Sequence, residues 1–192
     1  MAREIDGIVY GPLSQLLGKW IGQKGTDKAP DNQAQIDESP FTDELTFTVA
    51  GYTENAEEQQ LVAIKYHHVV RKNENGLIFH DQIGHWIYEP GTNKIMHSLS
   101  IPRGVTVLAG GTYSEENEEG VFEVEALSGS ETFGILQSPF MFEKAKTTAF
   151  KMSLKVKEDE LSYYELTSLE IYGKEFAHED FSTLKRVKYD LG

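Results

Sequence analysis

From residue 40 onward the chain alternates between apolar and polar residues. In DELTFTV, Leu45, Phe47 and Val49 are separated by Thr46 and Thr48, the period of two expected of a strand with one buried face. LVAIKYHHVVR continues the pattern, with Ile64, Tyr66, His68 and Val70 opposed to Lys65, His67 and Arg71. After the turn signal KNENG comes LIFHDQIGHWIYE, then PGTNK, then IMHSLSIPRGVTVLAGGTY. SEENEEG precedes VFEVEAL, and FKMSLKV and LSYYELTSLEIYG flank the acidic turn KEDE as a hairpin. Nine or ten strands on short turns, with no long amphipathic helix between them, predict an antiparallel sandwich or up-and-down β-barrel rather than a parallel sheet.

Three stretches break the alternation. In GPLSQLLGKWIGQKG, Pro12 suits a helix start, Leu13, Leu16 and Leu17 share a helical face, and Gly18 suits the helix end. Trp20 and Gly22 then fall on one side of a first strand, which predicts a short N-terminal helical turn packed across a barrel end. Residues 23–41 are polar and carry two prolines, and read as a long loop. SGSETFGILQSPFMFEKAKTTA mixes glycines with aromatics and reads as a bulge or a crossover.

Composition narrows the function. The 192 residues predict a single β-barrel domain over 1–192 with a sizeable core. The absence of cysteine excludes disulfides, thiolate metal sites and cysteine nucleophiles. A formal charge of −13 argues against nucleic acid or an anionic membrane surface as partner. No signal-peptide layout or membrane-length apolar run is visible, so a cytoplasmic protein is expected. A homodimer is left open.

Six histidines, His67, His68, His80, His85, His97 and His178, are the main polar chemistry. His67 and His68 must point to opposite faces of their strand. In the 78–89 strand, parity turns His80, Gln82 and Trp86 inward and Asp81 and His85 outward, with Gly84 marking a possible bulge. No His-x-His pair, G-x-S-x-G elbow, P-loop or G-x-G-x-x-G is present, and each histidine alone reads as a solvated or hydrogen-bonded residue. Small barrels of this kind commonly enclose one small ligand.

PLSQLLGKWIGQKG resembles the opening P-L-x-x-L-x-G-x-W-x-G-x-G signature of the nitrobindin family, the fatty-acid-binding-protein-like haem proteins. Pro12, Leu13, Leu16, Gly18, Trp20, Gly22 and, displaced by one position, Gly25 carry it. DELTF, FHDQIGHW, GGTY, LSYYELTS and HEDFSTLKR resemble later family motifs in the same order, from about Pro12 to Val187. The resemblance implies a lipocalin-like ten-stranded barrel holding ferric haem b, with His178 as the iron ligand and His80 lining the pocket. Trp20 and Thr167, the latter where the family usually has methionine, complete the implied cofactor-binding set. It also implies nitric oxide binding and peroxynitrite isomerisation, which would make the protein an enzyme. This chain departs from the pattern in placing Glu179 and Asp180 directly after His178. Two alternatives remain: a carrier of a small apolar ligand such as a fatty acid, with Arg103 or Arg186 as interior cation, and an interaction domain filled by its own aromatics.

Overall fold

The computed structural model describes residues 4–33, 35–116 and 118–188. The expected domain bounds of 1–192 therefore reach beyond the described residues at both ends. A two-stranded ribbon, β1 (Glu4–Ile5) and β2 (Ile8–Val9), leads into a 3-10 turn over Gly11–Gln15. There follow β3 (Gly18–Pro30), β4 (Ile36–Asn55), β5 (Gln59–Lys72), β6 (Ile78–Glu89) and β7 (Lys94–Ile101). Then come β8 (Val105–Glu116), β9 (Glu119–Leu127), the short β10 (Ile135–Gln137) and the helix α1 (Pro139–Lys144). β11 (Ala145–Lys157), β12 (Glu160–Ile171) and β13 (Lys174–Arg186) complete the chain.

Among the described residues, β3 to β9 and β11 to β13 form a closed ten-stranded antiparallel barrel. β13 pairs with β3, and β9 is held between β8 and β11. β10 lies alongside the start of β8, where β9 does not reach. The 128–149 stretch is thus a crossover: β10 and α1 carry the chain over the barrel's rim to β11. Ser138 starts α1 by accepting a hydrogen bond from the Met141 amide.

Residues 23–41 are not a long loop. β3 continues to Pro30 and β4 begins at Ile36, so only 31–35 turn, held by Asp31 Oδ1 accepting from the Gln33 and Gln35 amides. The alternation fails there because both strands run past the apolar core to the rim, where a polar side chain is tolerated on either face. Backbone pairing of β3 to β4 on one side and β13 on the other supplies the order instead. Pro40 is tolerated because β5 ends opposite Phe41 and leaves that edge of β4 free.

The other barrel end is shut. The 3-10 turn lies across it, burying Tyr10, Leu13 and Leu16 against Trp20, whose Nε1–H donates to the Leu16 carbonyl at 2.7 Å. The Arg186 guanidinium stacks 3.9 Å above the Trp20 ring and donates to the carbonyls of Gln15 and Leu17. Arg186 is therefore an anchor of the closed end and not an interior cation for a ligand. The motif glycines are packing requirements. A Cβ on Gly22 would run into Asp43 Oδ1 and Ser182 Oγ, and one on Gly25 into the ring of Phe41.

Candidate functional site

The open end leads into a cavity of about 450 Å³, within the usual range for a small-molecule site. One wall is apolar, with Phe41, Val70, Leu99, Val107, Phe150 and, from the rim helix, Met141. The facing wall is polar and comes from β3, β12 and β13. In register, Thr167 lies opposite His178, Glu165 opposite Asp180, and Asp180 opposite Asp27.

His178 is half-buried at this wall. Its Nε2 lies 2.7 Å from Asp27 Oδ1 and 3.2 Å from Asp180 Oδ2. Burial lowers the imidazole pKa, but the Asp27 hydrogen bond and the charges of Asp180, Asp27 and Glu165 outweigh it and raise the value overall. Glu165 moves the other way from an ordinary carboxyl: burial, reinforced by the Asp180 charge, pushes it up to about 8. Asp180 is also raised, by burial and by Asp27, against the pull of His178.

Deeper, two polar networks line the barrel. In the first, Asp43 accepts hydrogen bonds from His68 Nε2 (3.2 Å), Tyr163 OH (3.0 Å) and Ser182 Oγ (2.9 Å). In the second, Gln82 Nε2 donates to the Tyr66 oxygen at 2.6 Å, leaving the Tyr66 hydroxyl to donate to His97 Nε2 at 2.8 Å. Gln82 Oε1 is then the acceptor for His80 Nε2–H at 3.1 Å, which fixes the neutral tautomer of His80. Burial, then the nearby His68, lowers His80 to about 4 and His97 to about 3. His97 stacks on Trp86 with ring centroids 4.2 Å apart, and its Nδ1 has no hydrogen-bond partner among the described residues.

Each expected site residue can now be placed. His178, His80 and Thr167 share the cavity wall. Trp20 does not: it fills the core beneath the 3-10 turn and is absent from the cavity lining. Its motif is structural because the opening signature builds the closed end of the barrel. Parity held in β6, where Gln82 and Trp86 are buried and His85 is exposed, and β5–β6 pairing passes Gly84 without a bulge. His67 faces outward to Asp81. Arg103 sits at the cavity mouth, donating to the Phe79 carbonyl. Asp27, Asp43 and Glu165 were missed as site residues. Strand parity with Phe47 and with Tyr163 was the available signal for Asp43 and Glu165, whereas Asp27 fell in the supposed loop.

The cavity suits the cofactor implied by the sequence. It is mostly apolar and is lined by three imidazoles, of which His178 meets two carboxylates through one ring nitrogen, the arrangement that orients a metal-bound histidine through its second nitrogen. No helix among the described residues is long and apolar enough to cross a membrane.

The fold has a solved counterpart in Rv2717c from M. tuberculosis, with a TM-score of 0.69 over 93% of this chain and 98% of that one at 22% identity. No curated protein matches the chain in sequence. Residues 9–186 match the THAP4-like, heme-binding beta-barrel domain, and the chain belongs to that family.

Proposed function

We propose that the barrel binds haem b in the open-ended cavity, with His178 as the iron ligand. The observation that supports this reading is the position of His178, on a polar strip facing a broad apolar wall in a cavity open at one end. Bound ferric haem would supply nitric oxide binding and the isomerisation of peroxynitrite to nitrate. Asp27 and Asp180 would orient the His178 ring, Thr167 would sit beside it, and the apolar residues would exclude water. His80, held neutral and tethered to Gln82, would line the pocket without adding positive charge. Arg103 at the mouth, the one permanent cation in the lining among the described residues, would pair with a propionate.

The carrier reading meets an electrostatic obstacle. A fatty acid entering head first would bring its carboxylate to a wall that carries Asp27 and Asp180 and offers it no permanent cation. Haemin titration of the parent and His178→Ala proteins tests the proposal. The parent should develop a Soret band at one equivalent, and the variant should show a shifted band and at least tenfold weaker binding. No band in the parent would overturn the haem reading, and an unchanged variant would remove His178 from it.

A further inference from the structure

Asp27, His178 and Asp180 each offer one ligand atom, and these three atoms lie within 4.8 Å of one another. They come from β3 and β13, neighbouring strands whose pairing fixes Asp27 opposite Asp180. Glu165 stands next to them on β12, opposite Asp180. Its half-buried carboxyl lines the same cavity wall. The cavity wall therefore carries three carboxyl groups, yet Arg103 at the mouth is the one lining residue with a permanent positive charge. Two of these carboxyl groups converge on the single Nε2 of His178, where either a proton or a metal ion can serve all three groups.

We propose that, in the haem-free barrel, Asp27, His178 and Asp180 bind one divalent first-row transition-metal ion, with Glu165 as the adjoining carboxylate. Two carboxylate oxygens and one imidazole nitrogen suit borderline ions such as Zn²⁺ or Co²⁺. Ca²⁺ would need six to eight oxygens, more than this wall supplies. The geometry needs little change. Ligands about 2.1 Å from a tetrahedral metal are roughly 3.4 Å apart, and the His178–Asp180 and His178–Asp27 separations are 3.2 and 2.7 Å. The ion replaces the protons that now link the three groups and releases them to solvent. The inference shares His178 with the haem reading, so metal and haem compete for the same side chain.

The test is Co²⁺ absorption and Zn²⁺ calorimetry on the full-length haem-free chain. The parent should bind one Co²⁺ with visible d–d bands and one equivalent of Zn²⁺. Asp27→Asn and Asp180→Asn, which keep side-chain volume, should each weaken Zn²⁺ at least tenfold, and His178→Ala should abolish the bands. Circular dichroism identifies any variant that fails to fold, and the two asparagine variants are read independently. No bands and no heat in the parent, or unaltered affinity in both asparagine variants, overturns the metal site. Haemin titration of the same variants separates the two readings. Asparagine variants that lose Zn²⁺ but keep the Soret band support the metal site without touching the haem reading. A parent that binds Zn²⁺ but never shows a Soret band supports the metal site and overturns the haem reading.

Discussion

Replacing Asp43 with asparagine should loosen the barrel from within. The Asp43 side chain has 0% exposure and accepts three hydrogen bonds, from His68 on β5, Tyr163 on β12 and Ser182 on β13. Asparagine keeps the volume but carries no charge: its carbonyl oxygen can replace Oδ2 beneath His68 and Tyr163, and its amino group, in place of Oδ1, turns the Ser182 hydroxyl from donor to acceptor. Hydrogen bonds to a charged acceptor contribute roughly 1.5–3 kcal/mol each against about 0.5–1.5 kcal/mol for neutral ones, so losing the charge weakens two bonds and reverses the third. Removing the buried charge recovers part of that loss. The net is about 3 kcal/mol, or about 6–12 °C in Tm for a domain of this size. Urea unfolding of Asp43→Asn, Tyr163→Phe and the double variant measures it. The double variant should be less destabilised than the sum of the singles. A loss below about 1 kcal/mol, or additivity within about 0.5 kcal/mol, would refute the view that this carboxylate ties the strands together.

Two further outcomes follow from the core. Trp20→Ala empties the space beneath the 3-10 turn, removes the Leu16 hydrogen bond and takes the ring from under Arg186; it should cost roughly 3–5 kcal/mol in urea unfolding. A loss near zero would show that the closed end does not depend on this ring. His97 is held neutral with its pKa lowered to about 3, below the ordinary value of 6.5. The unfolded chain therefore binds the proton first, and this contribution is full above pH 6.5 and is lost as pH falls toward 3. His80, lowered to about 4, acts with the same sign. His97→Phe keeps a ring against Trp86, so its stability should fall less than the parent's between pH 7 and pH 4. Equal falls would mean that protonation of His97 is not part of acid unfolding.

Alternation made most of the barrel legible, because a strand with one face on an apolar core must repeat every two residues. Leu45, Phe47, Tyr66, His68, Gln82 and Trp86 are all buried where parity put them. The signal failed where the core ends. Between Gln23 and Phe41 the inward positions include Asp27, Lys24 and Glu38 are exposed and so is Ile36, so no apolar alternation marks the strands. That failure hid Asp27, which lies on this extension. Trp20 misled differently: a motif residue of the family need not touch the family's ligand, and here it closes the opposite end of the barrel.

Parity says that a residue faces inward but not what it meets there. Glu165 shares a face with Tyr163 and Leu161, and Asp43 with Leu45, so both could be placed inside. Their partners depend on which strands become neighbours. Asp27 lies 151 positions from His178 and Asp43 lies 139 from Ser182, and both pairs exist because β13 closes the barrel onto β3. Short turns predict adjacency between consecutive strands, whereas the first-to-last pairing follows only once the sheet curls fully round. The chemistry of this chain is concentrated at that seam. There Gly22 leaves room for Asp43 and Ser182, and β13 sets His178 and Asp180 against Asp27. A change that shifted the β13–β3 register by one residue would turn His178 and Asp180 outward together and separate both from Asp27. The imidazole's surroundings are therefore a property of barrel closure, and any account of its ligand has to begin from the seam.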